Sequence, residues 1–485
     1  MHYDFIIIGS GAGGSAAAYR LTKAGKQVLL VEKGKVLPKD GSTQDFQKVI
    51  NQGIFKSKEP WLDRQGKTFM PEEYFNLGGK TKWYGAALLR YSPQEFEADS
   101  NFQCLAWPIS YNELAPYYDE VEKLLGVTTF PIELDLKTLS DKITGQHSGW
   151  ISAPLPLALA KAILANDNEA RHFDGFASVA GLKSEGETSL LSQLSGHHNF
   201  SLVTGHAVQH LLGSDTDTRR IAGVMLDNGQ CYLADKVLLA AGAMHSPRLL
   251  QDYLDASGLS ETLPCTKLVG RYFKRHILTA MLSFSSGLKT DALRKTTAWF
   301  HDRYPHSSVQ PLGFSQDVLS TLIPGIVPRF IASWLGKRAY GFFLQTEEGS
   351  HPDNRVAAKS ESTLGLPKLD YDLKRLAIAK QEHTRMTRSF QTTLYKAGCI
   401  SFTKSIPLAG TAHACGTLLT GDDPNSSVVD SKGKVHGMAN LYVVDGSILP
   451  RISRVNPALT IYAWSLRVAD QLLQPTITIK GEHAS

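Results

Sequence analysis

A histidine ahead of a turn of small residues, His413 in "HACGT", and an asparagine ahead of a proline, Asn456 in "VNPALTIYAWSLRVADQL", are where this chain's residue types suit proton chemistry. Histidine titrates close to neutral pH, so it can take a proton and return it. The same residue before such a turn also suits a structural purpose, and His413 alone leaves both readings open. Asn456 is equally double. It can cap the helix that Pro457 opens, where a missing N–H costs nothing. Its amide can also donate to an oxygen on which negative charge develops. Other chemistries have less footing. There is no GxSxG nucleophile elbow. Cys104, Cys231, Cys265, Cys399 and Cys415 form neither CxxC nor CxxCH, which argues against a disulfide framework, a zinc site and a covalently attached haem.

The amino terminus carries the most complete motif. "DFIIIGSGAGGSAAAYRLTKAGKQVLLVEKG" reads as a strand at Phe5–Ile8, a glycine turn, a helix over 15–23 and a second strand over 28–31 ending at Glu32. Gly9 permits the tight turn, Gly11 lets a pyrophosphate approach the backbone, and Gly14 allows close helix–strand packing. The helix N-terminus then faces the phosphates, and Glu32 can accept hydrogen bonds from a ribose hydroxyl. The candidate dinucleotide contacts are therefore Gly9, Ser10, Gly11, Ala12, Gly13, Gly14, Glu32 and Lys33. An acid at position 32 disfavours NADP. The motif does not separate FAD from NAD, because both use it.

These sites must be positioned by elements spread along 485 residues, enough for two or three domains or one large discontinuous pair. Hydrophobic residues at 42% and charged residues at 20% are ordinary for a globular chain. A net charge of +5, with no basic block interleaved with aromatics, gives nucleic-acid binding no support. "NLGGKTKWYGAALLRY" puts Gly78-Gly79 in a turn, and "WPISYNELAPYYDEVEKLLG" predicts a helix capped by Ser110. "KVLLAAGAMHSPRLL" reads as strand, small-residue turn and helix. "FSLVTGHAVQHLLG" and "RIAGVMLDNGQCYLADKVLLAAG" alternate like hairpin strands around the turn Asp227-Asn228-Gly229.

Together these blocks resemble the glucose–methanol–choline (GMC) family of FAD-dependent oxidoreductases, nearest its bacterial sugar and polyol dehydrogenase flavoproteins and pyranose oxidase. The likeness spans the chain and is strongest at 1–34, 76–125, 235–276 and 411–472. It implies a mixed α/β (α+β) fold with FAD as cofactor. A Rossmann-like FAD-binding domain would be assembled from 1–90, 190–275 and 411–485. A substrate domain of 91–189 and 276–410 would carry an antiparallel sheet.

The resemblance places His413 as the base that takes a hydroxyl proton while hydride passes from carbon to flavin N5. Asn456 becomes its partner on the substrate oxygen, and Pro457 starts a helix whose dipole faces the flavin N1–C2=O edge. Asp445 and Gly446 bring backbone to the ribityl and pyrophosphate, Val208 lies on the adenine side, and Gly78, Gly79 and Ala241 join the cofactor contacts. His206, His210, His245, His276 and His436 are read as structural. Two departures stand out. Leu419 occupies a position where arginine is common, and Trp83 replaces the histidine that links FAD covalently in some sugar oxidases, so non-covalent FAD is expected.

The implied activity is oxidation of a CH–OH group of a sugar, glycoside, polyol or other alcohol, with O2, quinone or a redox partner taking the electrons. The alternatives are a flavoprotein subunit serving a membrane-linked complex and a non-redox FAD lyase or isomerase. A strand beginning almost at Met1 leaves no room for a signal peptide, which predicts a cytoplasmic chain. Family sugar dehydrogenases commonly pair with a small subunit carrying the export signal, a second route to the periplasm. The stretch 313–334 is apolar-biased but broken by Pro324, Pro328 and Arg329, a poor transmembrane helix. Its Leu319, Leu322, Ile323, Ile326, Val327, Phe330, Ile331 and Trp334, with Arg329 and Lys337, suit a lid, a packed loop or a membrane-surface contact.

Overall fold

In a computed structural model of the chain, the first apolar run forms the strand His2–Ile8 and the next forms Val28–Glu32, paired in parallel with Phe5 opposite Val28. The structure describes residues 2–145, 147–285, 293–314, 319, 323, 327–359 and 365–474. Helix Ala12–Lys23 connects the two strands. Its Ala16, Ala17, Ala18 and Leu21 are buried, and the small side chains let it lie close to the sheet. Phe5–Ile8 and Val28–Val31 are apolar throughout because packed elements cover both faces of a parallel sheet.

Seven described strands share this sheet. Phe200–Thr204, Val28–Glu32, His2–Ile8, Cys231–Leu239, Ile221–Leu226 and Val208–Gly213 follow one another across it, and Leu441–Val443 pairs beside Cys231–Leu239. That last strand changes partner midway. Cys231–Leu233 runs antiparallel to the strand before it, and Val237–Leu239 runs parallel to Leu441–Val443. The Asp227–Gly229 turn closes the hairpin Ile221–Leu226/Cys231–Leu239, with Gly229 at φ +81°. Phe200–Thr204 differs from the hairpin expectation: it pairs in parallel with Val28–Glu32. Alternation reports which face is covered, not the direction of the neighbouring strand. Ser110 caps helix Tyr111–Leu124 in a capping box with Glu113.

A second sheet has the order Ile400–Ser405, Ile277–Phe284, Ala339–Thr346, Ser307–Pro311, Thr297–His301 and Trp150–Pro154. All its pairings are antiparallel. One face, with Met281, Trp299, Val309, Phe342 and Leu344, packs on Met386, Phe390 and Leu394 of helix Ala377–Lys396. From the other face Ser308, Gln310 and Gln345 reach the segment before helix Ala458–Leu473. Two sheets built from interleaved stretches of sequence therefore meet over one loop. Among the described residues no helix is long and apolar enough to cross a membrane.

Candidate active site

The segment carrying His413 is held against the entry of the second sheet by backbone pairing. Lys274 and Cys415 exchange two N–H···O bonds of 3.0 Å, an antiparallel bridge that sets residue 276 opposite residue 413. Gly416 permits the approach. It stands at φ +86°, and a Cβ there would lie 2.4 Å from Lys274 Nζ and 2.6 Å from Tyr272 O. His276 Nδ1 and His413 Nδ1 are 2.9 Å apart, with the rings at 81°. His276 Nε2 lies 2.8 Å from the carbonyl oxygen of Ser453. Nε2 of His413 has no hydrogen-bond partner among the described residues.

Burial holds the His413 pKa well below the ordinary histidine value, and Lys295 and Lys80 push the same way, as a proton on His276 would. The imidazole is therefore neutral near neutral pH and keeps a lone pair for a proton. Lys80 and Lys295 are themselves paired, with Glu73 at 2.8 Å and Asp174 at 3.0 Å. His245 shares Glu73 with Lys80, at 2.5 Å.

Asn456 does not cap the helix. Its Oδ1 accepts from Gln310 Nε2 at 2.8 Å, and helix Ala458–Leu473 begins after Pro457 without a side-chain cap. The loop leading to it is pinned at Ser453, whose φ of +68° is unusual for a residue with a Cβ. Glu347 accepts from Ser453 N–H at 3.1 Å, and Glu95 accepts from Ser453 Oγ at 2.6 Å and Arg454 N–H at 2.9 Å. Glu347 is fully buried and held by His306 and Arg451, each at 2.5 Å.

At the amino terminus Gly9 takes φ +101°, and the Cβ of an alanine at Gly14 would lie 1.9 Å from Gly9 O. Around Gly11 a Cβ would meet nothing within 4 Å. The N–H groups of Gly11, Ala12, Gly13 and Gly14 have no acceptor among the described residues. Glu32 accepts from Ser10 N–H at 2.9 Å, Ser10 Oγ at 2.6 Å and Gly34 N–H at 2.8 Å. Ser10 Oγ in turn accepts from Gly78 N–H at 2.9 Å, so Glu32 braces the glycine turn and the Gly78 turn together.

The family model described as FAD dependent oxidoreductase matches residues 4–273, and the one described as GMC oxidoreductase matches residues 350–465. Paromamine 6'-oxidase of Streptomyces fradiae is 30% identical, over 96% of this chain and 90% of that protein. The chain is a GMC oxidoreductase. The fructose dehydrogenase large subunit of Gluconobacter japonicus is 22% identical, over 97% of each chain. Among solved structures, pyridoxine 4-oxidase from Mesorbium loti superposes with a TM-score of 0.70 at 16% identity, over 97% of this chain and 99% of that one, a likeness of fold.

FAD is thus the cofactor of this GMC protein, and the residues present fit it. Four unpaired N–H groups with open space at Gly11 form an anion cradle at a helix N-terminus. A second helix N-terminus, at Ala458, is also uncapped, and Ser465 Oγ donates to Gly13 O at 2.6 Å, which locks the two helices together at the turn. Gly79 closes on Gly11, where an added Cβ would come within 3.1 Å of the Gly11 Cα.

The remaining GMC site candidates fall as follows. Asp445 is buried and accepts from Gly242 N–H, Ser246 Oγ and Ser447, so its side chain ties the Ala241 turn to Gly446. Gly446 lies between Ala414 and Ile461, joining the His413 segment to the helix after Pro457. Val208 starts its strand beside Gly205, which donates to Glu32 O at 3.0 Å. Lys33 pairs with Glu59 and lies 4.1 Å over the Phe75 ring. Trp83 is buried, stacked on Tyr74, with its indole N–H donating to Asn76 at 2.8 Å. Leu419 is buried in the core.

Sequence reasoning read His276 as structural and passed over Gln310 and Ser453. His276 closes the motif block 235–276, but its partner is 137 residues away. Gln310 sits in a strand whose sequence gives no sign of which face meets the site.

Proposed function

We propose that this GMC oxidoreductase oxidises a CH–OH group of a sugar, glycoside or polyol, with His413 as base and Asn456 as donor to the substrate oxygen. FAD, when bound, accepts the hydride. The observation that carries the reading is a His413 whose Nε2 is unpartnered among the described residues, set beside the loop that presents Asn456, with burial favouring the neutral ring. His413 takes the hydroxyl proton while the Asn456 amide, its own oxygen held by Gln310, steadies the developing alkoxide. The names of the relatives, an oxidase of an amino sugar and a fructose dehydrogenase subunit, support a carbohydrate substrate.

The test is anaerobic mixing with D-glucose, D-fructose, methyl glucoside, glycerol and paromamine, scored by flavin bleaching. At least one should bleach the flavin, and re-oxidation by air or by a quinone then assigns the acceptor. A flavin that stays yellow with all of them would overturn the substrate class. Acid should release intact FAD, because the indole of Trp83 offers no nucleophilic imidazole nitrogen for a flavin link; colour retained on the denatured chain would contradict this. The name of the Gluconobacter japonicus relative, a large subunit, supports a partner subunit for this chain, which we place in the cytoplasm, with export alongside such a partner as the other route.

A membrane contact is the second reading, favoured by helix Arg329–Gly336. Phe330 and Trp334 are 75% and 55% exposed, Arg329 and Lys337 flank them, and Arg338 lies 4.5 Å over the Trp334 ring. Apolar side chains beside basic heads suit an anionic lipid surface. Leu322 and Ile326 lie outside the described residues. Co-sedimentation with anionic liposomes should weaken when Phe330 and Trp334 become serine. Wild-type protein remaining in the supernatant would exclude the contact.

A further inference from the structure

Ser453 presents a carbonyl oxygen 2.8 Å from His276 Nε2, and a carbonyl oxygen can only accept. Nε2 of His276 therefore carries the hydrogen. His276 is 1% exposed, and burial pushes its pKa down to about 4, so the ring is neutral and has only that one N–H. Its Nδ1 is then a bare acceptor. The atom 2.9 Å away is His413 Nδ1, which must be the donor. A neutral His413 with its hydrogen on Nδ1 has none on Nε2, the nitrogen without a partner among the described residues. The polarity of the chain runs from one backbone oxygen through two rings to the candidate base.

We propose that His276 is a positioning residue that fixes His413 in its Nδ1–H tautomer, so that Nε2 meets the substrate hydroxyl as a proton acceptor. The proposal rests on the reading of His413 as base. The second-sheet entry at Lys274 supplies the ring, and the loop before Asn456 supplies the anchor. Ser453 is held for this purpose at φ +68° by Glu347 on its N–H and Glu95 on its hydroxyl, which aims its carbonyl at His276. The anchor of the histidine pair, Ser453, and the partner asparagine, Asn456, thereby stand on one loop, three residues apart. Without the anchor, the Nε2–H tautomer would turn a donor toward the substrate and remove the base function.

Neutron diffraction from deuterium-exchanged holoenzyme near neutral pH reads the tautomer without any substrate. Deuterons are expected on His276 Nε2 and His413 Nδ1, and a deuteron on His413 Nε2 would overturn the proposal. Variants give a second readout. His276→Gln retains an acceptor for His413 and a donor for Ser453, so flavin reduction by the fastest alcohol of the panel should stay within several-fold of wild type. His276→Phe removes both and should slow reduction by about 10²-fold, the lower part of a positioned base's contribution, with FAD content retained. Equal rates in the two variants would show a merely space-filling role. If His413→Ala reduces the flavin at the wild-type rate, the base assignment fails while the neutron result still decides the tautomer.

Discussion

His413→Ala should lower the rate of flavin reduction by roughly 10²–10⁴-fold, the usual contribution of a general base, with FAD retained. Asn456→Ala should cost about 10²-fold, near the low end for one lost oxyanion donor. Stopped-flow mixing with an alcohol that bleaches the flavin checks both, and a wild-type rate in either variant removes that residue from the mechanism. The pH dependence follows from burial. The base works in its neutral form, and its pKa is depressed well below 6.5, so it stays neutral as the medium is acidified through that value. Reduction should hold its rate through pH 6.5 and fall only well on the acid side. An acid limb at or above 6.5 would mean that another group limits the reaction.

The glycine turn and its helix make a prediction at the scale of an element. An alanine Cβ at Gly13 would sit 1.8 Å from Val444 O, and one at Gly14 would sit 1.9 Å from Gly9 O. Neither backbone can yield without separating the helix from the sheet, so each substitution should cost about 3 kcal/mol or more. Gly11 is different, with φ −63° and nothing within 4 Å of an added Cβ. Gly11→Ala should therefore leave the melting temperature of the apoprotein unchanged while weakening FAD retention, because the methyl enters the pyrophosphate space. Thermal unfolding with and without FAD separates these cases. A Gly11→Ala apoprotein that melts well below wild type would mean the glycine serves packing instead. Glu32 belongs to the same element. Its bonds to Ser10 mean that Glu32→Ala should loosen the turn as well as remove the acceptor proposed for a ribose hydroxyl.

For the whole molecule, buried histidines set the response to acid. His276 and His383 have pKa values lowered by burial from 6.5 to about 4. Between those values the unfolded chain binds protons that the native state does not, so stability is lost as pH falls through this window. Each group contributes on the order of 3 kcal/mol at full effect, and His413 adds to the loss. Glu348 works the other way, since burial raises its pKa from 4.5 to about 7 and acid then favours the native state. Burial also raises the pKa values of Glu32, Glu382 and Asp445, which pull the same way as Glu348. The histidine share is therefore read by difference: His383→Gln should lose less melting temperature than wild type between pH 6.5 and pH 4.5. An equal loss in the two proteins would show that water reaches this ring.

Local sequence was enough for everything that one stretch of chain builds by itself. The glycine turn, the acid at the strand end, the Ser110 cap, the turn at Gly229 and the proline-started helix are all short-range consequences of backbone freedom, capping and side-chain period. The order of these blocks also carried the family, and with it the cofactor. Tertiary structure decided what depends on chain segments meeting. It alone paired Phe200–Thr204 in parallel with Val28–Glu32, turned Glu32 onto Ser10, and gave Asn456 a glutamine partner in place of a cap. It also converted His276 from one histidine among sixteen into the neighbour of His413. A hydrogen bond's direction is set by which groups converge in space, and no spacing along the chain records that a carbonyl at 453 faces a ring at 276.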